Sequence, residues 1–249
     1  MAGHSKWKQI KRKKAVTDAK RGAKFTKLIK EITVAARDGG GDPAGNARLR
    51  TAIDTAKAEN MPADNIERAI KKGTGELEGV TYEEATYEGY GPGGAAIMVQ
   101  VTTDNLNRTV ASIRHIFSKN GGSLGEPNSV AWIFEKRGQV YLDASKYPED
   151  QAMEAALNAG ADDMITEGDQ HIITTPPTGL HSVREALQSA GVEMVESEIS
   201  MIPSTQVQIE GKDAERLLRL MDSLEEHEDV SHVFSNFDID AETLVAVGE

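Results

Sequence analysis

Positive charge is concentrated in the first thirty residues of this chain. Eleven lysine and arginine residues stand there against a single carboxylate, Asp18, so this segment carries a formal charge of +10. Because the whole chain carries −12, residues 31–249 carry −22. Like charges at this density repel one another, and a polyanion such as a phosphate backbone relieves the repulsion. The distribution therefore predicts an acidic folded body with a basic amino-terminal arm that contacts nucleic acid.

The basic arm also has an interpretation as a solvated tail without a partner. Trp7 and Phe25 interleave its charges and argue against that alternative, because a disordered tail has little use for aromatic rings. Two roles are open for Trp7, stacking on bases or docking on the domain behind it. We predict nucleic-acid contacts from the following residues of the arm: Lys6, Trp7, Lys8, Lys11, Arg12, Lys13, Lys14, Lys20, Arg21, Lys24 and Lys27.

Length and composition limit the class of protein. With 249 residues, 39% of them hydrophobic, the chain exceeds the usual length of one domain, and two or three domains are expected. The absence of cysteine excludes disulfides, thiolate nucleophiles and cysteine-ligated zinc, and it suits a reducing compartment. No apolar run approaches the roughly 18 residues of a membrane span, and the amino end lacks the apolar core of a signal peptide. We therefore predict a cytoplasmic protein with no membrane partner.

Hydrophobic periodicity predicts three short helices at the amino end. Apolar residues recur at helical spacing over residues 22–37, and three consecutive glycines end that run. Asn46 is suited to cap a second helix, and Asn60 with Pro62 separates the second helix from a third. The sequence thus predicts a helical bundle, with the basic arm in front, over residues 1–79.

Beyond residue 73 the pattern changes to strands alternating with helices. The first expected strand runs from Ala95 to Thr103, and two further strands are expected at 129–135 and 140–143. Residues 138–202 have the order β-α-β-β-α-β of a ferredoxin-like unit. We predict an α+β multidomain fold in which two ferredoxin-like α+β domains follow the bundle, one inserted in the other. Their predicted boundaries are 80–136 plus 203–249 for the discontinuous domain and 137–202 for the inserted domain.

Two glycine-rich motifs resemble signatures of nucleotide binding and hydrolysis. GYGPGG precedes a strand and lacks a following GK[ST], whereas a phosphate-binding loop follows a strand and opens a helix. Gly121, Ser123 and Gly125 fit G-x-S-x-G, but a helix precedes this serine and a strand follows it, the reverse of a nucleophile elbow. The six histidines show no ligand spacing, and carboxylate pairs such as Glu83 with Glu84 are typical of solvated faces. We therefore predict no enzymatic activity, cofactor, metal site or small-molecule substrate.

The segment TTDNLNRT lies between a predicted strand and a predicted helix. Asp104 or Asn105 is expected to cap that helix. Asn107 and Arg108 exceed what a cap requires, and they stand in the first turn, where backbone N–H groups attract an anion. With Arg114 close by, we predict a second phosphate contact formed by Asn107, Arg108 and Arg114.

Long, co-linear motifs of this chain resemble the YebC/PmpR family. They are the opening MAGHSKWKQIKRKK and then GGGDP, NMPADNIERAIKKG, YEGYGPGG, TDNLNRT, FSKNGGSLG and SMIPST. The resemblance runs from residue 1 to at least residue 205. It implies a helical bundle with two α+β domains and a non-enzymatic role in gene expression, usually described as DNA-binding transcriptional regulation. It also implies an alternative role in translation, because mitochondrial relatives activate translation and bacterial relatives are connected to ribosomes that synthesise proline-rich stretches.

The sequence does not decide whether the nucleic acid is DNA or rRNA. In the second case the partner would be the ribosome. No helix-turn-helix signature, zinc finger or basic zipper is evident in the sequence, so no element for reading base edges can be named. Phosphate contacts position a protein without specifying a nucleotide sequence. These points fit RNA or a ribosome surface at least as well as a DNA operator.

Overall fold

The amino-terminal part of the chain is helical. In a computed structural model that describes residues 7, 18–240 and 243, with the backbone alone for residues 18–21, it forms α1 (Asp18–Gly39), α2 (Ala47–Ala58) and α3 (Ala63–Gly73). Asn46 caps α2 as predicted, since its side-chain oxygen accepts a hydrogen bond from the backbone N–H of Leu49 at 3.0 Å. The helices share one apolar core, which includes Ile32, Leu49, Ile53, Met61 and Ile66. The predicted helical region is therefore confirmed.

A first antiparallel sheet follows, with the strand order β3-β1-β2-β9. Its strands are β1 (Glu83–Tyr90), β2 (Ala96–Thr103), β3 (Ser123–Leu124) and β9 (Val230–Ser235). Two helices, α4 (Leu106–Lys119) and α7 (Gly211–Glu226), supply apolar side chains to the same core as the strands. Alternate residues of β2, Ile97 and Val99, meet Phe117 of α4 and Leu217 of α7 in this core.

A second antiparallel sheet has the strand order β5-β6-β4-β7. It contains β4 (Phe134–Asp143), β5 (Asp163–Glu167), β6 (Gln170–Thr175) and β7 (Glu196–Pro203), with α5 (Glu149–Asn158) and α6 (Leu180–Ser189) between strands. Val140, Leu142, Ile173 and Leu187 belong to its separate core. A short parallel pair, β8 (Val207–Gln208) with β10 (Phe237–Asp238), adjoins the first sheet. The α+β class, with a helical region and then two sheets, is as predicted.

The strands differ from the sequence prediction at β1 and at β4. β1 is absent from that prediction, because acidic and exposed residues such as Glu83 interrupt its apolar alternation. The strands expected at 129–135 and 140–143 are replaced by one long strand, β4, which begins only at Phe134. β4 continues through Gly138. A glycine is required there because a Cβ would lie 2.8 Å from the side chain of Thr175 on the neighbouring strand β6.

Residues 128–131 do not form the predicted strand, because a carboxylate takes their backbone donors. Glu88 of β1 accepts hydrogen bonds of 2.7 Å from the N–H groups of Asn128, Val130 and Ala131. Burial alone would raise the pKa of Glu88, but these three hydrogen bonds lower it below its ordinary value. The segment therefore enters a 3₁₀ turn at Ala131–Ile133 instead of pairing with a neighbouring strand.

Candidate nucleic-acid interface

Most of the predicted arm contacts lie outside the described residues. Those at Lys6, Lys8, Lys11, Arg12, Lys13 and Lys14 fall on positions that the structure does not describe, and for Lys20 and Arg21 it describes the backbone of α1 alone. The remaining arm residues, Trp7, Lys24 and Lys27, have described positions. Together with residues 107, 108 and 114, they are the predicted contacts whose side-chain surroundings the structure describes.

Trp7 is buried in the core of the first sheet. Its side chain is 2% exposed, and it belongs to the same cluster as Ile97, Phe117, Leu217 and Leu220. Of the two roles considered for this ring, the structure therefore places it in the docking role, and a base has no access to it in this conformation. The prediction that Trp7 contacts nucleic acid is corrected accordingly, because burying the large apolar ring in a core is more favourable than leaving it at a solvated surface.

We expect the two tryptophans of the chain to report this burial separately. Trp132 is 73% exposed, so a Trp132→Phe variant leaves the buried Trp7 as the only indole. Its fluorescence should be blue-shifted relative to the unfolded protein and resistant to acrylamide, because the core excludes both water and quencher. A Trp7→Phe variant, which retains Trp132, should be quenched readily. Equal quenching of the two single-tryptophan proteins would contradict the burial of Trp7.

The described lysines of the arm are engaged within the protein. Lys24 forms an ion pair of 2.6 Å with Glu59 at the end of α2. Lys27 donates a hydrogen bond of 2.5 Å to the backbone carbonyl of Glu225 in the last turn of α7. Both amino groups thus have partners in the folded chain, and Lys27 helps to hold α1 against α7. The contact of Lys24 and Lys27 with nucleic acid stays a prediction.

The contact between the helical region and the first sheet centres on Asp229. Its carboxylate is 1% exposed and accepts hydrogen bonds from Lys30 of α1 at 2.7 Å, from Thr109 at 2.8 Å and from Arg108 at 3.0 Å. Lys30 is itself buried, with 9% of its side chain exposed, and it also donates to the carbonyl of Glu228 at 3.0 Å. We name this group of Asp229, Lys30, Arg108 and Thr109 the Asp229 cluster.

Charge balance explains why a carboxylate is tolerated at this depth. Burial alone would raise the pKa of Asp229, but hydrogen bonds from Lys30, Thr109 and Arg108 lower it far below its ordinary value. The carboxylate is therefore ionised, and two cations face it from different parts of the chain. A buried charge that is paired and hydrogen-bonded in this way is costly to uncouple. The Asp229 cluster thus fixes α1, and with it the start of the basic arm, on the first sheet.

Arg108 lies in this cluster and not in an open anion site. Its guanidinium donates to Asp104 at 2.7 Å as well as to Asp229. These hydrogen bonds, to Asp229 first and then to Asp104, raise the pKa of Arg108. Asn105 caps α4, since its side chain accepts from the backbone N–H of Arg108 at 3.0 Å. The guanidinium thus pairs with two carboxylates of the folded chain, and its contact with phosphate stays a prediction.

Asn107 and Arg114 are both exposed on α4. They stand seven residues apart and therefore share one face of the helix. The structure does not bring them to Arg108, whose side chain turns toward the Asp229 cluster. Their predicted contact with phosphate stays a prediction, now without Arg108 as its centre.

The sequence alone did not single out Lys30 or Asp229. Lys30 was one cation among eleven in a basic segment, and Asp229 was one carboxylate in an acidic region. The only local signal was the position of Lys30, one residue after the apolar Ile29, where a charged side chain lies at the border of the buried face. Among residues 18–240, no group of three His, Asp or Glu side chains is placed to hold a metal ion. No helix in that range is long and apolar enough to cross a membrane.

Two family models match this chain in succession. One describes the "TACO1/YebC protein N-terminal domain" and matches residues 5–76. The other describes the "TACO1/YebC second and third domain" and matches residues 82–237. The two matched ranges meet between the helical region and the first sheet.

Curated relatives and a solved structure cover nearly the whole chain. A "Probable transcriptional regulatory protein" of Citrifermentans bemidjiense is 56% identical over 244 residues, 98% of each protein. Another protein of that description, from Desulfotalea psychrophila, is 56% identical over 250 residues and covers 100% of both. The crystal structure of a conserved hypothetical protein from Aquifex aeolicus has a TM-score of 0.83 and 48% identity, and the match covers 90% of this chain and 92% of that one.

Proposed function

Because the chain belongs to the TACO1/YebC family, as its sequence motifs predict, we propose that it is a non-enzymatic regulator of transcription that binds DNA through its basic arm. The names of the relatives support regulation of transcription. In this proposal the protein acts in the cytoplasm and needs no cofactor. Its domains follow the predicted division at 1–79, 80–136 plus 203–249, and 137–202, with the last range forming an inserted ferredoxin-like domain.

Charge is the observation that carries this proposal. Once Lys24, Lys27 and Lys30 are assigned to contacts within the protein, eight of the eleven cations remain, all between residues 6 and 21. Against the single carboxylate Asp18, this stretch has a formal charge of +7. Phosphates of a nucleic acid release condensed counterions when such a stretch neutralises them, which makes binding strong at low salt.

Two anchors support a role for the arm as a positioned surface. Trp7 is held in the core of the first sheet, and α1 is held by the Asp229 cluster. The cations from Lys8 to Lys14 lie in sequence between these two anchored points. A segment that is tethered at both ends loses less conformational entropy on binding than a free tail does.

The helical region contains a pair of helices with the loop length of a helix-turn-helix. Four residues join α2 to α3, and Asn60 among them has a positive φ of 60°. The first two turns of α3 nevertheless expose Asp64 and Glu67, whose carboxylates are repelled by phosphates. We therefore do not assign base reading to α3, and the proposed binding is directed at the backbone.

Competition binding tests this proposal. A protein that contacts phosphates should prefer promoter DNA over scrambled duplex by at most about tenfold, whereas sequence-specific proteins prefer their site by roughly 10³ to 10⁷. Fluorescence anisotropy with unlabelled competitors measures the ratio, and footprinting shows whether one site is protected. Failure to bind duplex DNA at low salt would contradict the proposal. Co-sedimentation with ribosomes, without DNA binding, would instead support the translational role.

A further inference from the structure

A second basic surface is formed by the two helices that pack against the first sheet, at the carboxyl end of α4 and along α7. Lys119, Arg216 and Arg219 line an open depression of about 460 Å³, together with Ser118, Asn120 and Gly121. We name Lys119, Arg216 and Arg219 the α4–α7 basic surface. The two arginines have Asp213 and Glu215 of their own helix as ion-pair partners. Three cations that line one depression nevertheless favour an anionic partner there.

The cations of this surface are less engaged with carboxylates than those of the Asp229 cluster. Arg216 lies 3.8 Å from Asp213, and Arg219 lies 3.9 Å from Glu215. These separations exceed hydrogen-bond length, whereas Arg108 donates to its carboxylates at 2.7 and 3.0 Å. The arginine side chains are also 57% and 61% exposed. Their guanidinium groups are thus available to a ligand.

The helix dipole does not account for the two arginines of this surface. Lys119 stands in the last turn of α4, where the helix dipole stabilises a positive charge. Arg216 and Arg219 lie inside α7, away from its carboxyl end, so the helix dipole does not explain them. Guanidinium groups bind phosphate oxygens in pairs of parallel hydrogen bonds, and this geometry suits a phosphodiester.

Charge extends from this surface along α4. Arg114 precedes Ser118 by one turn on the same exposed face, and α4 contains no acidic residue. The backbone at the end of α4 is already satisfied, since the N–H groups of Asn120, Gly121 and Gly122 donate to carbonyls of that helix. Contacts with a ligand would therefore come from side-chain cations, which suits an anionic group such as phosphate.

Helix α7, which carries Arg216 and Arg219, also contacts α1 and contributes to the core that holds Trp7. Lys27 of α1 contacts Glu225, and Arg219 precedes Glu225 by six residues, which is about 9 Å along the helix axis. Trp7 shares its core cluster with Leu217 and Leu220 of α7. Duplex DNA carries one phosphate charge per roughly 1.7 Å of its axis, so a duplex that extends from the arm to α7 would offer phosphates to both.

We propose that Lys119, Arg216 and Arg219 bind the phosphodiester backbone of the nucleic acid whose other contact is the basic arm. This inference rests on the proposed function and adds a second binding surface to it. The ligand chemistry is shared by RNA and DNA.

The test compares two pairs of substitutions in the full-length protein. Arg216→Ala with Arg219→Ala removes two cations from the α4–α7 basic surface. Lys136→Ala with Lys146→Ala removes two exposed cations, one on β4 and one in the turn that follows it, and serves as the control with the same net charge. Fluorescein-labelled duplex DNA and single-stranded RNA of the same sequence are titrated by anisotropy at several salt concentrations, and circular dichroism confirms equal melting of the variants.

The arginine pair should weaken binding and reduce the slope of log K against log salt by about 2, since each arginine is expected to neutralise one phosphate. The lysine pair should leave the slope at the value of the unsubstituted protein. An unchanged slope in the arginine pair would overturn the second surface while leaving the proposed function intact. An unsubstituted protein that binds neither probe would overturn both. The probe with the larger difference identifies RNA or DNA as the ligand of this surface.

Discussion

Replacing Asp229 with alanine is expected to lower the free energy of unfolding by about 3 to 5 kcal/mol, because removing one partner of a buried ion pair leaves the other charge uncompensated. The carboxylate is 1% exposed, and Lys30, with 9% of its side chain exposed, would keep the carbonyl of Glu228 and the ring of Tyr82 as partners but would lose the carboxylate that balances its charge. Urea denaturation followed by circular dichroism measures the change.

Asp104→Ala provides the matched control for this prediction. Asp104 also pairs with Arg108, but its side chain is 41% exposed. Its removal should change stability by no more than about 0.5 kcal/mol, as is usual at the surface. Equal effects of the two substitutions would contradict the assignment of Asp229 as the centre of the contact between the helical region and the first sheet.

Local signals in the sequence predicted the helices well. The cap at Asn46 and the cap at Asn105 were readable because a helix end depends on residues within three or four positions of it. Strand β1 could not be predicted, because its exposed glutamates interrupt the alternation of apolar and polar residues. Its strand conformation depends on pairing with β2. The segment after Asn128 was misjudged because Glu88, forty residues earlier, accepts its backbone donors.

In the candidate site, too, features that depend on the local sequence could be predicted and contacts between distant residues could not. The basic arm could be predicted because net charge is a property of composition, independent of folding. The role of Arg108 could not, because its partner Asp229 is 121 residues away in the chain. Arg216 and Arg219 were not singled out from the sequence, because helix α7 contains more acidic than basic residues and so shows no excess of positive charge.

The second large effect is expected from the arm. If about 6 to 10 phosphates are neutralised, affinity for duplex DNA should fall by roughly 10³ to 10⁵ between 50 and 200 mM salt. A deletion of residues 1–21 would be a poor test, because it would also remove Trp7 from the core of the first sheet. Substituting glutamine at Lys11, Arg12, Lys13 and Lys14 removes the charge and keeps that anchor.

The salt dependence of duplex binding, measured for the unsubstituted protein and for the four-glutamine variant, therefore tests DNA binding by the arm most directly. Each phosphate that the variant no longer neutralises should reduce the slope of log K against log salt by about 0.9, so the slope should fall by about 3 to 4 in total. The melting of the variant should match that of the unsubstituted protein. A variant that binds the same duplex with the same affinity and the same slope would show that the basic arm is not the nucleic-acid contact.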